Sequence, residues 1–184
     1  MTAIDGAHFG ELVLDLEQSI EVLLAPVDGD ATLWQRALPG KWSVGQHCEH
    51  VALALEMMPP LFADSARRLA AGTLPPPPVR WPLQALFIAM VVKGGKIPRG
   101  GPAHSATFPA AQPSLPQIVS RLRAAPGLYR TPTSGLDPVA LDHLWIRNPI
   151  MTKFSWHYSL PEAVRVQAVH VRHHATQVLE ATRS

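Results

Sequence analysis

Apolar residues recur at helical spacing in four long segments of the chain, and clusters of proline and glycine separate these segments. In the first segment, residues 4–25, Leu16 and Ile20 belong to a stripe along one side, with acidic residues off it. Such a stripe is typical of an amphipathic helix. Pro26 and the turn at residues 28–30 are predicted to end this helix.

The second helix is predicted to begin after Ser43, because a serine hydroxyl is a good N-cap and Trp42 precedes it as an apolar flanking residue. The two prolines at 59–60 are expected to break or kink this helix, since proline lacks the backbone N–H that a helix interior requires. A helical continuation is predicted to about Ala71.

The long segment 72–113 is rich in proline and glycine and has one short predicted helix, at about 82–93. The polyproline run at 74–79 is predicted to be extended. The apolar run Leu83–Val92 has about half the length that spans a bilayer, so we expect a buried helix there. We expect residues 94–113 to wrap over one end of the molecule.

The third long helix is predicted over residues 115–125, with Ser114 as its N-cap and with Pro126-Gly127 ending its regular part. A loop then leads to a short helical piece at 138–144. Residues 145–159 are aromatic and irregular, and no alternating pattern here or elsewhere indicates a strand.

The fourth long helix is predicted to begin at Ser159, which forms a capping box with Glu162, and to run to about Thr182. Four principal helices joined by long crossovers and short extra helices favour an antiparallel four-helix bundle. We therefore predict an all-α fold and assign residues 1–184 to a single domain.

Composition and charge narrow the classes of function. Hydrophobic residues make up 47% of the chain and charged residues 16%, which indicates a packed domain. The net charge is +2 and the basic residues are scattered, so we do not expect a nucleic-acid partner. The single cysteine, Cys48, excludes an internal disulfide, and the first residues lack the features of a signal peptide. We therefore expect a cytoplasmic protein that is not bound to a membrane.

The candidate chemistry lies in two histidine clusters. His170 and His174 are one helical turn apart and on one face, a spacing at which two imidazoles can bind one metal ion. A divalent ion needs three or four ligands, and His47 and His50 of the second helix could supply the remainder. The alternative is a polar core layer in which these histidines form hydrogen bonds without a metal.

The two clusters resemble the DinB-like superfamily, which includes the YfiT-type metal-dependent hydrolases. Trp42-Ser43, with His50 eight positions after the tryptophan, resembles the signature of that family's second helix. Residues 170–177 resemble its HxxHHxxQ element on the fourth helix. Helix order, long crossovers and total length also fit, so the resemblance covers nearly the whole chain and implies a four-helix bundle.

The resemblance implies that His50, His170 and His174 hold a divalent metal, often zinc or nickel, beside open positions for water. His173 is then a neighbour, and Gln177 could orient a metal-bound water or a histidine. Characterised members include hydrolases and thiol-dependent S-transferases. The implied activity is therefore Lewis-acid chemistry on a small-molecule substrate, with water or a low-molecular-weight thiol as the attacking group.

For the residues next to the two clusters and for the other histidines, a structural role is the default interpretation. Cys48 points away from His50 around the helix and is interpreted as a small buried hydrophobe, and Glu49 as solvated. His8 lies four positions before Leu12 on the stripe of the first helix and is a candidate for a role beside the site or in its cavity. Surface or structural roles are the default for the histidines in loops and short pieces, namely His104, His143 and His157.

Two other classes of function remain open. One is a module that binds a metal or a small ligand without turnover. The other is an interaction protein whose histidines are structural and whose proline-rich segment 74–82 binds a partner. A homodimer is also possible, with the apolar segment Leu83–Val92 as its candidate surface.

Overall fold

The computed structural model describes residues 9–97, 103–150 and 156–183. Its helices are α1 Phe9–Gly29, α2 Val44–Glu56, α3 Pro59–Ala70, α4 Pro82–Ile88, α5 Leu115–Arg130, α6 Pro138–His143 and α7 Leu160–Arg183. A π-helical turn, Ala89–Lys93, continues α4, and short 3₁₀ turns occupy Ala31–Gln35, Ser105–Thr107 and Thr131–Thr133. The strands are β1 Trp145–Arg147 and β2 His157–Ser159.

The prediction of a mostly helical fold is confirmed. Helix α1 packs against α5 and α7, and α2 packs against the same two helices, so that each of the four longest helices has two of the others as neighbours. Their inward side chains form one apolar core, in which Leu16, Val51, Leu122 and Val171 are fully buried. This arrangement brings α2 directly against α7, the two helices that carry the histidine clusters.

The starts of α2 and α7 agree with the sequence. The Ser43 hydroxyl accepts the Gln46 N–H at 3.2 Å, and the Gln46 side-chain oxygen accepts the Ser43 N–H at 3.0 Å. Ser159 and Glu162 form the same reciprocal pair, at 3.4 and 2.9 Å. Each capping box satisfies two backbone donors that a helix start otherwise leaves unpaired, and thereby fixes where the helix begins.

Two prolines lie inside helices, where the sequence predicted helix ends. Helix α1 continues past Pro26 to Gly29, and α5 continues past Pro126 to Arg130. One further turn follows each proline, and that turn carries a buried residue, Val27 in α1 and Tyr129 in α5. Burial of these side chains offsets the backbone hydrogen bond that each proline removes.

The two-stranded sheet was not predicted. Strands β1 and β2 are antiparallel, with Trp145 opposite Ser159 and Arg147 opposite His157. Each strand has three residues, too few for a period-two pattern to be recognised in the sequence. Strand β2 ends at Ser159, the N-terminal cap of α7.

Phe154 and His8 lie outside the described residues.

The helix predicted at 82–93 is present as α4 and its π-helical turn, but the prediction that it is buried is only half right. Gln84, Ile88 and Val91 are buried, whereas Leu83 and Leu86 are 66% and 67% exposed. The apolar run therefore has one core face and one outward apolar face. Within the described ranges, no helix combines the length and the apolar character needed to cross a membrane.

Candidate metal centre

Three imidazole nitrogens from α2 and α7 converge in the structure. The Nε2 atom of His170 lies 3.2 Å from Nε2 of His50 and 3.1 Å from Nε2 of His174. One ring nitrogen from each histidine falls within 4.8 Å of the others. Contact between α2 and α7 therefore brings together the three residues that the family resemblance implies.

The cluster is shielded from water. His50 and His174 are 7% and 6% exposed, and His170 is partly buried. The Trp42 ring lies over His50 with 5.0 Å between ring centroids, and Phe108 meets Trp42 edge-on at 5.7 Å. This aromatic wall lowers the local dielectric, which strengthens the interaction between the nitrogens and any cation they hold.

The spacing of the nitrogens fits a single ion. Nitrogen ligands bound to zinc at about 2.0–2.1 Å in a tetrahedral arrangement lie about 3.3 Å from one another. The observed separations of 3.1 and 3.2 Å match this value within the movement that a side chain allows. Two imidazoles that share a hydrogen bond have a similar separation, so the positions of the protons decide between the two interpretations.

The proton position on His50 is set by the protein backbone. Its Nδ1 atom lies 2.8 Å from the carbonyl oxygen of Thr107. A carbonyl oxygen only accepts, so Nδ1 carries the proton and donates it, and the neutral ring presents the Nε2 lone pair to the cluster. Metal-bound histidines usually hold their second ring nitrogen in this manner.

His174 is held through its second nitrogen as well. Its Nδ1 lies 3.0 Å from Nδ1 of His47, so one of these two rings donates to the other. When His174 donates, its Nε2 lone pair joins that of His50 in facing Nε2 of His170. One proton on His170 must then be shared between two acceptors, whereas a cation satisfies all three lone pairs at once.

Burial keeps these rings neutral at pH 7. Loss of hydration lowers the pKa of His47 to about 4 and that of His170 to about 3. It also lowers the pKa of His174, which the neighbouring histidines depress further, and that of His50, which its bond to Thr107 partly restores. Neutral imidazole is the form that binds a metal, so the site is prepared for ligation without prior loss of protons.

His47 and His173 lie outside the group of converging nitrogens. His47 contacts His174 on the ring edge opposite the cluster, and it is 5% exposed. It therefore orients His174 from the interface between α2 and α7. The His173 ring meets that of His174 edge-on, with 5.3 Å between centroids.

The loop before α5 contributes to the site in a way that the sequence did not predict. Glu49 was expected to be solvated, but its carboxylate accepts the backbone N–H of Ala110 at 2.6 Å, and Gln46 donates to the Ala110 carbonyl at 3.3 Å. Together with the bond from His50 to Thr107, these contacts dock the loop on α2. Part of the segment 94–113 thus covers the α2 side of the cluster. A backbone carbonyl in a loop without periodicity has no sequence signal.

Gln177 lines a cavity of about 150 Å³ and makes no hydrogen bond to a histidine in the described chain. The cavity borders His47, but none of the three converging histidines lines it. Gln177 therefore lies beside the cluster without a hydrogen bond to its histidines, and its role in orienting a metal-bound water stays a prediction.

The remaining candidates have structural or surface roles. Cys48 is fully buried, and burial raises the pKa of its thiol to about 12, so it is unreactive as expected. His104 and His143 are exposed. His157 is buried in β2, with its ring 5.8 Å from that of Trp145.

Comparison with protein-family models, with curated proteins and with solved structures finds no match to this chain. The DinB-like resemblance therefore stays a prediction, and function must be inferred from the geometry of the site.

Proposed function

We propose that this chain is a DinB-like metal-dependent enzyme in which His50, His170 and His174 hold one divalent ion, zinc or nickel. Its proposed reaction is hydrolysis of a small molecule or transfer of a low-molecular-weight thiol to it. The observation that supports this proposal most is the convergence of three Nε2 atoms while Nδ1 of His50 is tied to the Thr107 carbonyl. The bond to Thr107 directs the Nε2 lone pair of His50, and not a proton, at the point where the three Nε2 atoms meet.

The ring of contacts among α1, α2, α5 and α7 supports an antiparallel four-helix bundle as the architecture of the proposed enzyme. The outward apolar face of α4, with Leu83 and Leu86, is the candidate surface for a homodimer.

A bound divalent ion would supply Lewis acidity, which lowers the pKa of water or of a thiol and so yields an attacking group at neutral pH. The three imidazoles are neutral ligands and leave the full charge of the ion in place. His47 holds His174 by its Nδ1 atom, and Thr107 holds His50, so both ligands keep fixed orientations. Trp42 covers His50 on one side of the cluster.

A metal-binding module without turnover is the second candidate, and one observation favours it. The cavity of about 150 Å³ is not lined by any of the three ligands, so a substrate held there does not touch the ion directly.

The third candidate, partner binding by the proline-rich segment, gains less support. The carbonyl of Pro75 accepts the Trp145 indole N–H at 2.9 Å, and Arg80 forms a bidentate ion pair with Glu162. Both contacts tie the segment to the domain itself.

Metal analysis of protein purified without a histidine tag tests the proposal. We expect about one divalent ion per chain, and an affinity at least about 100-fold weaker in His174→Ala, since one of three ligands is lost. The matched control is His143→Ala, which removes an exposed histidine far from the cluster in sequence and should retain the ion. If His174→Ala leaves metal content and melting temperature unchanged, the site assignment is wrong.

Activity assays then separate an enzyme from a binding module. Ester, amide and thiol-transfer substrates should be screened with the metal-loaded chain and again after chelation. Turnover that chelator abolishes and that zinc or nickel restores supports the enzyme. A chain that binds metal and turns over none of these substrates supports the module.

A further inference from the structure

The cavity of about 150 Å³ lies next to the histidine cluster along α7. Its walls come from Leu38 and Trp42 in the connection before α2, from His47 in the first turn of α2, and from Gln177 and Ala181 on α7. Gln177 and Ala181 are one turn apart and continue the side of α7 on which His174 lies. A cavity of this volume holds a molecule of about the size of benzene.

Two polar groups of the wall have no partner within the described chain. Nδ1 of His47 is used on His174, but its Nε2 makes no hydrogen bond there, although the residue is only 5% exposed. The side-chain amide of Gln177, which is partly buried, makes none either. Both residues line the cavity, so these two groups are available to a molecule that enters it.

The cavity is a site of hydrogen-bond donors. His47 lines the cavity, and when His174 donates its Nδ1 proton, His47 accepts on Nδ1 and its neutral ring must then carry its own proton on Nε2. Gln177 adds an amide donor, and Lys41 adds an ammonium group at the rim. Glu180 also lines the cavity, and since both Lys41 and Glu180 are exposed, solvent screens the attraction of the one and the repulsion of the other for an anion. The hydrogen-bond donors therefore decide the preference of the cavity.

We propose that this cavity binds a small carboxylate that has an aromatic or apolar body. The carboxylate accepts from His47 Nε2 and the Gln177 amide and interacts with Lys41, while the body of the ligand packs against Trp42 and Leu38. The binding site itself does not require the metal. The presence of a donor on His47 rests on the proposed function. An ion on Nε2 of His174 forces the proton of that ring onto Nδ1, and His47 then carries its own proton on Nε2.

The shared bond between His47 and His174 couples the two sites. An ion on the cluster fixes the His47 tautomer that donates into the cavity, and a carboxylate in the cavity favours the His174 tautomer that binds an ion. By thermodynamic linkage each ligand therefore raises the affinity of the other by the same factor.

Titration of the full chain with benzoate, followed calorimetrically, tests the proposal. For a ligand of this size we expect a Kd of about 1 mM in the metal-free protein. We expect about fivefold tighter binding in the zinc-loaded protein. Gln177→Leu should weaken benzoate binding about tenfold by removing an amide donor. Gln18→Leu, an equal change on the exposed side of α1, should leave it unchanged. Benzylamine, a cation of the same size without an acceptor, should not bind.

Absence of benzoate binding to both forms overturns the proposal, and so does equal affinity in Gln177→Leu and the unsubstituted chain. If benzoate changes the visible absorption of the cobalt(II)-loaded chain equally in both proteins, it binds the ion and not the cavity, which also overturns it.

The two proposals fail separately. Benzoate binding that depends on Gln177 in a chain that takes up no zinc retains the cavity and removes the metal. Zinc uptake without benzoate binding retains the metal site and removes the cavity site.

Discussion

Helix α7 has two interior faces, and they differ in how completely the chain satisfies them. Towards α1, its Arg165 and Arg172 both donate to Asp15, at 2.6 and 2.8 Å, beside an aliphatic core. Towards α2, it presents His170 and His174, whose ring nitrogens meet other ring nitrogens.

The difference separates stability from chemistry. On the α1 face Arg165 and Arg172 share a partner of opposite charge, Asp15, and apolar burial provides the stabilisation. On the α2 face, lone pairs are directed at one another and are fully satisfied only by a proton or a cation. A fold keeps such an interface when the interface has a function. The two faces should therefore respond separately to acid and to substitution.

Acid should destabilise the metal-free protein through the α2 face. The folded pKa values of His47 and His170, about 4 and about 3, lie below the unfolded value of about 6.5. Below pH 6.5 the unfolded chain therefore takes up protons that the folded chain does not, and the free energy of unfolding falls. Between pH 7 and pH 5 we expect a loss of about 2 kcal/mol from His47 and about the same from His170, so about 4 kcal/mol from these two rings. The lowered pKa values of His50 and His174 add to this loss.

Urea denaturation at a series of pH values measures this loss. The His47→Leu variant is the control, and its profile should be flatter by about the share of one histidine. A free energy of unfolding that does not change between pH 7 and pH 5 would show that the rings are not held neutral.

Truncation on the α1 side should reduce stability and leave the metal site intact. Leu16 is fully buried in the core. Leu16→Ala should lower the free energy of unfolding by about 3 kcal/mol, because it removes buried methyl groups and leaves a cavity. Zinc affinity of the folded variant should stay within about twofold of the original, since among the described residues no hydrogen bond of the three proposed ligands involves Leu16. A large loss of zinc affinity would mean that the two faces are not separable.

The helical part of this picture follows from the sequence because it depends on local signals. The serines at 43 and 159 each have a partner three residues on, and both capping boxes form. The i, i+4 spacing of His170 and His174 predicts a shared face, and the structure brings them together with His50.

What the sequence could not supply depends on contacts distant in the chain. The bond from His50 to Thr107 joins residues 57 positions apart, and that from His47 to His174 joins residues 127 apart. The three-residue strands were missed because a pattern of period two needs more residues to be visible. The helical turns after Pro26 and Pro126 were missed because tertiary burial of Val27 and Tyr129 overrides a local break.

His47→Leu should weaken zinc binding without removing it. The substitution deletes the acceptor for the Nδ1 proton of His174, so that ligand loses its fixed orientation and tautomer. Loss of such a supporting group lowers metal affinity by about 10- to 100-fold. Competition with a chromogenic chelator measures it. A loss as large as that of His174→Ala would indicate that His47 itself binds the ion, and an unchanged affinity would remove its positioning role.

Loss of a capping serine should change stability and zinc affinity only slightly. The change in zinc affinity should depend on how far the serine lies from the histidines. Ser43→Ala and Ser159→Ala each remove a capping hydroxyl and should each lower the free energy of unfolding by about 1 kcal/mol. Ser43 lies one turn before His47, so fraying there should also weaken zinc binding, by about two- to threefold. Ser159 lies eleven positions before His170, so its loss should leave zinc affinity unchanged. Equal changes in zinc affinity in the two variants would mean that α2 and α7 respond as one unit, and that the order of α2 alone does not govern the site.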